Sequence, residues 1–328
     1  MAVVCLALAS AGAGPVMGQV TIDRGASIIV FPKVVADASA DTALQLVNLA
    51  ASRASAFCSY IDGRGTWQSV GFTVALATDQ PLAWTAAGGR SPSGVDDPND
   101  IPPAPADFRG LMLCVQVDGA GSPLTGNQLS GEATLASLTD GDVASYSAIG
   151  LRGSGLNDGD DVLCIGGQTS DQCIIGAEYD PCPAAWEISH PADGAEDGQL
   201  GTGSSLHSRL VITPCTQNLA SDTPEAVRLN LQVVNELEQS FSTTATVTCW
   251  SDQALADIDA IFTADLLGTA YARTTVRPVD GDGGVFVLLE TRRQASPATA
   301  PTAAVAAVPH QMGFAARADL ITLPIGRP

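Results

Sequence analysis

The segment LQLVN at residues 44–48 recurs later in the chain as LQVVN at residues 231–235. Each copy is followed by a stretch that carries a cysteine, AFCSYI at 56–61 or ATVTCW at 245–250. In both stretches alternate positions are apolar, which is the pattern of a β-strand with one buried face. The recurrence therefore predicts two related units built from β-strands.

Two further blocks continue this echo in the same order along the chain. FTVAL at residues 72–76 corresponds to FTADL at 262–266, and GLMLCV at 110–115 corresponds to GVFVLL at 284–289. Four matches in one order indicate that a domain was duplicated. Short apolar runs separated by Gly, Pro, Asp and Ser clusters are typical of antiparallel sandwiches. Residues 254–262 are the one stretch that suggests a helix, with a loop before the next strand as the alternative. We expect an all-β fold of two tandem immunoglobulin-like β-sandwich domains.

The domain boundaries follow from composition, because 328 residues accommodate two domains. Residues 1–18 are apolar and end in small residues, like the back half of a secretory signal peptide, although a buried first strand is the alternative. We assign residues 19–160 to the first sandwich, with a disordered-like loop at 88–107. The second sandwich takes residues 161–328, with an Ala/Pro loop at 295–308 that a central strand would not tolerate.

The charge balance limits the partners of this chain. It has 35 acidic and 15 basic residues, a formal net charge of −20, and Lys33 is its only lysine. A surface of this sign repels phosphates, so no nucleic acid is expected as a partner. No later run reaches the roughly 20 apolar residues of a membrane helix, so we expect no transmembrane span. The predicted location is secreted, periplasmic or at the cell surface.

Seven cysteines would remain if Cys5 were removed with the signal peptide. In an oxidising compartment they form a disulfide framework with one cysteine left over. Cys58 and Cys114 are expected on strands that face each other across the first sandwich, and Cys215 and Cys249 on neighbouring strands of the second. The other three are nine residues apart, a spacing that disfavours zinc. The disulfide candidates are Cys58, Cys114, Cys164, Cys173, Cys182, Cys215 and Cys249.

Two weaker binding hypotheses arise from other residues. One Asp/Gly cluster offers hard oxygen ligands that suit calcium, although Asp-Gly is also an ordinary turn sequence. Its ligands would be Asn157, Asp158, Asp160 and Asp161. Trp67 and Trp84 are candidates for stacking on a sugar, with core packing as the alternative. No cofactor other than calcium is indicated.

The residues that supply general bases and nucleophiles form no established catalytic motif in this sequence. The three histidines, His190, His207 and His310, form no HExxH motif, and the chain contains no GxSxG elbow, P-loop or dinucleotide glycine pattern. We interpret the histidines as surface residues. The prediction is therefore that the chain has no catalytic residues.

Three blocks resemble segments that recur in exported proteins of environmental bacteria for which no activity is known. They are IIVFPKV at residues 28–34, AEYDPCP at 177–183 and NELEQSFST at 235–243. The resemblance implies export and a shared architecture, and fold-level likeness says nothing about activity. We expect a non-enzymatic exported protein with a structural, adhesive or interaction role, whose partner is an unknown protein or polysaccharide at the cell surface. The alternatives are a carbohydrate- or calcium-binding module and, third, a hydrolase with an unfamiliar site.

Overall fold

The computed structural model describes residues 20–65, 68–94, 97–139, 141–167, 169–198, 203–280, 282–294, 303–314, 318–324 and 326. The expected signal peptide at residues 1–18 lies outside this range, as does Trp67. The regular structure is almost entirely antiparallel β-strand, which confirms the all-β prediction.

The first half contains β1 Ile28–Ala36, β2 Ala40–Asn48, β3 Ala54–Asp62, β4 Ser69–Leu76, β5 Pro81–Thr85, β6 Phe108–Val117, β7 Leu129–Ser137, β8 Val143–Ser147 and β9 Ile149–Leu151.

These nine strands form two layers that meet at the turn between β1 and β2. One layer has the order β4-β3-β6-β1-β9, and the other has the order β5-β2-β7-β8 with β2 between β5 and β7. β1 and β2 share a single paired position, Ala36 with Asp41. Apolar side chains of both layers, such as Phe31 and Leu44, belong to one buried cluster, which we call the first core.

The second half contains more numerous and shorter elements. They are β10 Val162–Ile165, β11 Pro183–Pro191, β12 Ala195–Glu196, β13 Ser205–Pro214, β14 Gln217–Asn218, β15 Ala226–Asn235, β16 Ser240–Thr248, β17 Ser251–Ala254, α1 Leu255–Ile258, a 3₁₀ turn Ala260–Phe262, α2 Ala264–Leu267, β18 Tyr271–Pro278, β19 Val285–Gln294, β20 Ala303–Ala307, β21 His310–Phe314 and β22 Asp319–Thr322. One sheet has the order β16-β15-β18-β11-β21. A second has the order β12-β13-β19-β20, with β17 paired to β13, and β10-β22-β14 form a small third sheet.

The two halves share their apolar interior. Ile28 and Val30 of β1 belong to a second core that also contains Leu229 and Leu231 of β15, whereas Ile29 and Phe31 belong to the first core. Successive side chains of a strand point to opposite faces, so every residue of β1 is buried. β3 is likewise buried on both faces for most of its length. The expectation that its cysteine stretch buries one face only is therefore wrong.

The recurring sequence blocks occupy similar places only in part. LQLVN lies in β2, inside its sheet, and LQVVN lies in β15, between β16 and β18. The cysteine stretches differ, because β3 pairs with β6 while β16 lies at a sheet edge beside β15. FTADL is not a strand, because the Asp259 carboxylate accepts a hydrogen bond from the Ile261 amide and starts the 3₁₀ turn. The helical expectation near residues 254–262 is confirmed.

The described residues of the two predicted loops form more hydrogen bonds and strand pairs than their composition suggests. Asn99, inside the predicted loop at 88–107, bonds both the amide and the carbonyl of Ala75, at 2.8 and 2.9 Å. Ile101 of the same loop is buried. The amide side chain thus covers part of the outer edge of β4, a protection that exposed edge strands need. In the Ala/Pro tract, Ala303–Ala307 forms β20, which pairs with β19.

Candidate functional site

The only lysine of the chain is buried where the two halves meet. Lys33 lies at the irregularity in β1 between Phe31 and Val34 and is 5% exposed. Its Nζ forms an ion pair with the Asp252 Oδ2 atom at 3.0 Å and a second ion pair with the Glu290 carboxylate. Both carboxylates belong to the second half. A bulge re-aims side chains, which explains how a residue of a fully buried strand reaches them.

Two arginines extend the two ion pairs of Lys33 into a linear network of alternating charge. The Nε atom of Arg209 donates to Asp252 at 2.9 Å, and the Nε atom of Arg292 donates to Glu290 at 2.6 Å. Burial by itself raises the pKa of each carboxyl, but Lys33 and the adjacent arginine outweigh it, so both pKa values lie below their ordinary range. Both carboxylates are therefore ionised at neutral pH.

A cavity of about 210 Å³ opens beside this network. Its walls come from both halves of the chain, and Arg109 of β6 contributes a third guanidinium group. Arg109 is held by Asp37, at 2.6 Å from Nε to Oδ2, and by the Ser39 hydroxyl at 3.0 Å. Four of the 15 basic residues of this acidic chain line the cavity. Its charged lining residues are Lys33, Arg109, Arg209, Arg292, Asp142, Asp252 and Glu290.

The cavity offers more hydrogen-bond donors than acceptors. Each guanidinium has five N–H groups, and the protein acceptors described for Arg109, Arg209 and Arg292 engage one or two nitrogens of each. The Asp142 Oδ2 atom is buried and has no hydrogen-bond partner among the described residues. Hydroxyl groups of Ser39 and other residues add to the lining. The arrangement suits a ligand rich in acceptors that carries at least one donor.

The cysteines confirm the disulfide framework and correct its connectivity. Cys58 bonds to Cys114 and Cys164 bonds to Cys173, while Cys215 bonds to Cys182. Cys58 and Cys114 are direct partners on neighbouring strands of one layer and do not bridge two layers.

The suggested Cys215–Cys249 bridge is wrong, because Cys182 and Cys215 meet beside Gly284, whereas Cys249 lies near the Asp62 carboxylate of the first half. Cys249 is a free, buried thiol, and burial together with the Asp62 charge raises its pKa to about 11. One thiol is therefore left over among the described cysteines, as the odd count requires.

The Asp/Gly cluster is an exposed turn whose side chains bind their own backbone. Asn157 accepts from the Gly159 amide at 2.7 Å, and Asp160 accepts from the Val162 amide at 2.7 Å. Among the described residues, three ligand atoms lie within 4.8 Å of one another only at Cys182, Cys215 and Asp319, where the two cysteines are already joined. The carboxylates of Asp158, Asp160 and Asp161 are thus not gathered around one point, and calcium stays a prediction.

The aromatic and histidine candidates occupy different environments. Trp84 is buried, and its indole Nε1 atom donates to the Tyr60 hydroxyl at 2.7 Å, so neither face of the ring is open to a sugar. His190 is also buried, bonded to Thr274 at 2.8 Å, and burial lowers its pKa, so it is not a surface histidine. His207 is partly exposed and contacts Ser205 and Asp193. The contact of His207 with Ser205 and Asp193 was not predicted from the sequence, because no established catalytic motif has this spacing.

Comparisons with known proteins add little to this picture. No protein-family model matches the chain, and no curated protein is similar to it at a significant level. Among solved structures, the chain is similar to the PBSX exported protein XepA, with 12% sequence identity over 81% of this chain and 85% of that one. The TM-score is 0.17, which is too low to support an argument about fold or function. No helix in the described part of the chain is long and apolar enough to cross a membrane.

Proposed function

We propose that this chain is an exported interaction protein that binds a carboxylated saccharide unit in the cavity beside Lys33. Three disulfides among the described cysteines support a location outside the reducing cytoplasm. The proposal includes descent from a duplicated immunoglobulin-like sandwich, which is supported by the interior place that β2 and β15 both occupy in their sheets. It also places the chain with the exported proteins that its sequence blocks resemble.

One observation carries the ligand assignment, namely the convergence of four basic side chains on one cavity of a chain with net charge −20. Guanidinium groups bind carboxylates through two parallel hydrogen bonds, and the three arginines come from β6, β13 and β19. The Asp142 Oδ2 atom, which has no hydrogen-bond partner in the described part of the chain, and the hydroxyl groups match the hydroxyls of a sugar. A uronic acid unit supplies both kinds of group.

The paired carboxylates of the cavity favour a binding role over acid-base chemistry. Asp252 and Glu290 have lowered pKa values and are held by cations, whereas a general acid at neutral pH needs a raised pKa. The cavity is therefore better suited to binding a ligand than to acid-base catalysis. A binding role for the cavity agrees with the carbohydrate-binding alternative expected from the sequence.

Calorimetry with glucuronate and glucose tests the proposal. We expect glucuronate to bind and glucose to bind at least tenfold more weakly, because the carboxylate contributes charge-assisted hydrogen bonds. Arg109→Gln should weaken glucuronate binding at least tenfold. Arg228→Gln is the matched control, since Arg228 also pairs with an aspartate, Asp282, but does not line the cavity. Equal affinity for the two sugars, or equal loss in the two variants, would contradict the assignment.

A further inference from the structure

We propose that Ser205, His207 and Asp193 form a hydrolytic triad that cleaves an acyl ester carried by the saccharide bound in the cavity. The triad is inferred only from the hydrogen bonds that join its three side chains. The substrate class, an acylated acidic sugar, rests on the proposed function. Labelling of the serine tests the triad, and sugar binding and ester preference test the substrate class.

The three side chains are hydrogen-bonded in the order of a nucleophile, a general base and an orienting carboxylate. The Ser205 Oγ atom lies 2.8 Å from His207 Nε2, and His207 Nδ1 lies 3.0 Å from Asp193 Oδ1. A carboxylate that accepts from Nδ1–H leaves the lone pair on Nε2, which then accepts the serine hydroxyl proton. This tautomer is the one that general-base activation of a serine requires.

The fold determines why these residues meet. Ser205 and His207 are two residues apart in β13 and therefore point to the same face, while Leu206 between them is buried on the other face. Asp193 follows β11 and is fixed by its backbone, whose amide donates to Phe262 at 2.8 Å and whose carbonyl accepts from Ala264 at 2.9 Å. The carboxylate is thus presented to the imidazole from a rigid turn.

The neighbouring strand supplies donors for the oxygen that becomes negative during acyl transfer. In the pairing of β13 with β19, Gln294 lies directly opposite Ser205 and Arg292 lies directly opposite His207. Directly opposed residues share a face, with Cβ atoms about 4.5–5.5 Å apart. Amide and guanidinium N–H groups at such positions stabilise a tetrahedral oxyanion. Arg292 engages Glu290 through Nε, so its Nη atoms are the donors we assign to this role.

The triad lies next to the arginine cavity. Arg209 follows His207 by two residues on the same face of β13, which corresponds to about 7 Å along a strand. Arg209 and Arg292 both line the cavity. Ser205 precedes Arg209 by four residues, about 14 Å along the strand, so a saccharide held by the carboxylate of one unit presents the acyl group of a neighbouring unit to Ser205.

The reaction needs only the ester and water. The Ser205 Oγ atom attacks the ester carbonyl carbon while its proton passes to His207 Nε2, and the sugar alcohol leaves with that proton. Water then attacks the acyl-serine, His207 takes the water proton and returns it to Ser205, and a carboxylic acid departs. One ester and one water yield one alcohol and one acid, and nothing is oxidised or reduced.

A fluorophosphonate probe tests the triad without reference to the natural substrate. We expect the full-length exported protein to be labelled on Ser205, as located by peptide mass spectrometry, and to hydrolyse p-nitrophenyl acetate. Ser205→Ala should abolish both signals, and His207→Gln should reduce both at least 100-fold. Ser242→Ala, at an exposed serine of β16, is the matched control and should retain full labelling. Near-ultraviolet circular dichroism of each variant checks that it is folded.

Asp193 acts through His207 and is a positioning residue, so its test uses a conservative rescue. Asp193→Asn should lower labelling at least tenfold because the amide favours the wrong tautomer, whereas Asp193→Glu should restore a large part of it. An Asp193 that only tethers its turn would make the two variants equally reactive. Absence of labelling in the wild type, labelling at another serine, or turnover by Ser205→Ala would each overturn the triad.

The substrate class has its own readout. Arg109→Gln should lose glucuronate binding while keeping fluorophosphonate labelling, and Ser205→Ala should lose labelling while keeping glucuronate binding. With an acetylated glucuronate oligosaccharide, the wild type should release acetate at least tenfold faster than from an acetylated glucose oligosaccharide. Labelling without that preference would keep the triad and refute the acidic-sugar assignment.

Discussion

The indole Nε1 atom of Trp250 donates a hydrogen bond to the carbonyl of Pro32 at 2.8 Å, across 218 positions of sequence. The ring also lies against Gly63, where an added Cβ would stand 2.4 Å from an indole carbon. Trp250 packs against both cores. One side chain of the second half thus docks on two segments of the first, next to Lys33.

Truncation of this contact should weaken the whole protein. We expect Trp250→Phe to lower the free energy of unfolding by about 1 kcal/mol, through the lost hydrogen bond, and Trp250→Ala to lower it by about 3 kcal/mol. Gly63→Ala should destabilise by about 1–3 kcal/mol because of the clash. Urea denaturation measures all three. A neutral Gly63→Ala variant would contradict the close packing.

Removal of the buried lysine should lower the free energy of unfolding, because two buried carboxylates then lose their shared cation. We expect Lys33→Met to destabilise by about 3–5 kcal/mol at pH 7, because Asp252 and Glu290 lose the cation they share. Adding Asp252→Asn and Glu290→Gln to this variant should recover part of the loss. Denaturation of the single and triple variants measures this coupling. No recovery would mean that the lysine stabilises by packing alone.

The same network predicts a pH dependence with a definite sign. The pKa values of Asp252 and Glu290 are lower in the folded protein than their ordinary values. The stability that they contribute is therefore complete above the ordinary carboxyl range and is lost as pH falls through the lowered pKa values. In Lys33→Met, burial is no longer opposed by Lys33, so the deficit relative to wild type should shrink between pH 7 and pH 4. A constant deficit over that interval would refute the coupling.

Asp180 should show the opposite behaviour. Burial raises its pKa to about 6, partly offset by Arg152, and its Oδ2 atom has no hydrogen-bond partner among the described residues. Ionisation of this group therefore destabilises the fold above pH 6, and the penalty disappears as pH falls below it. We expect Asp180→Asn to stabilise by about 1 kcal/mol at pH 8, with the partial exposure discounted, and to be neutral near pH 4. Thermal unfolding at both pH values measures this difference.

The disulfides should differ in their contribution according to the loops they close. The chain-entropy estimate is about 4 kcal/mol for Cys58–Cys114 and Cys182–Cys215, with separations of 56 and 33, and about 2.6 kcal/mol for Cys164–Cys173, with a separation of 9. Paired Cys→Ala variants followed by denaturation measure how the three bridges rank in stabilisation.

The Cys249 peptide should be alkylated only after denaturation, because its thiol is buried and its pKa is raised. Alkylation of native Cys249 at pH 7 would contradict this placement.

Several properties of the molecule follow from local sequence alone. Alternating apolar positions and Gly, Pro and Asp clusters predict antiparallel strands, because side chains of a strand alternate between two faces. The cysteine count predicts bridges with one thiol left over. The pairing was not predictable, since Cys215 is almost equally near in sequence to Cys182 and Cys249, and only the packing around Gly284 brings it to Cys182.

The tertiary structure decided everything that depends on contacts between distant segments. A strand pattern does not say whether its second face meets solvent or another sheet, so the burial of β1, and with it the burial of Lys33, appears only when the halves pack. Likewise, Ser205 and His207 share a face by local geometry, but Asp193 reaches them through a turn held by the Ala264 backbone. The sequence by itself determined the strand-forming segments and the supply of thiols. Their pairing, the charged cavity and the triad are set by long-range packing, which period and composition do not encode.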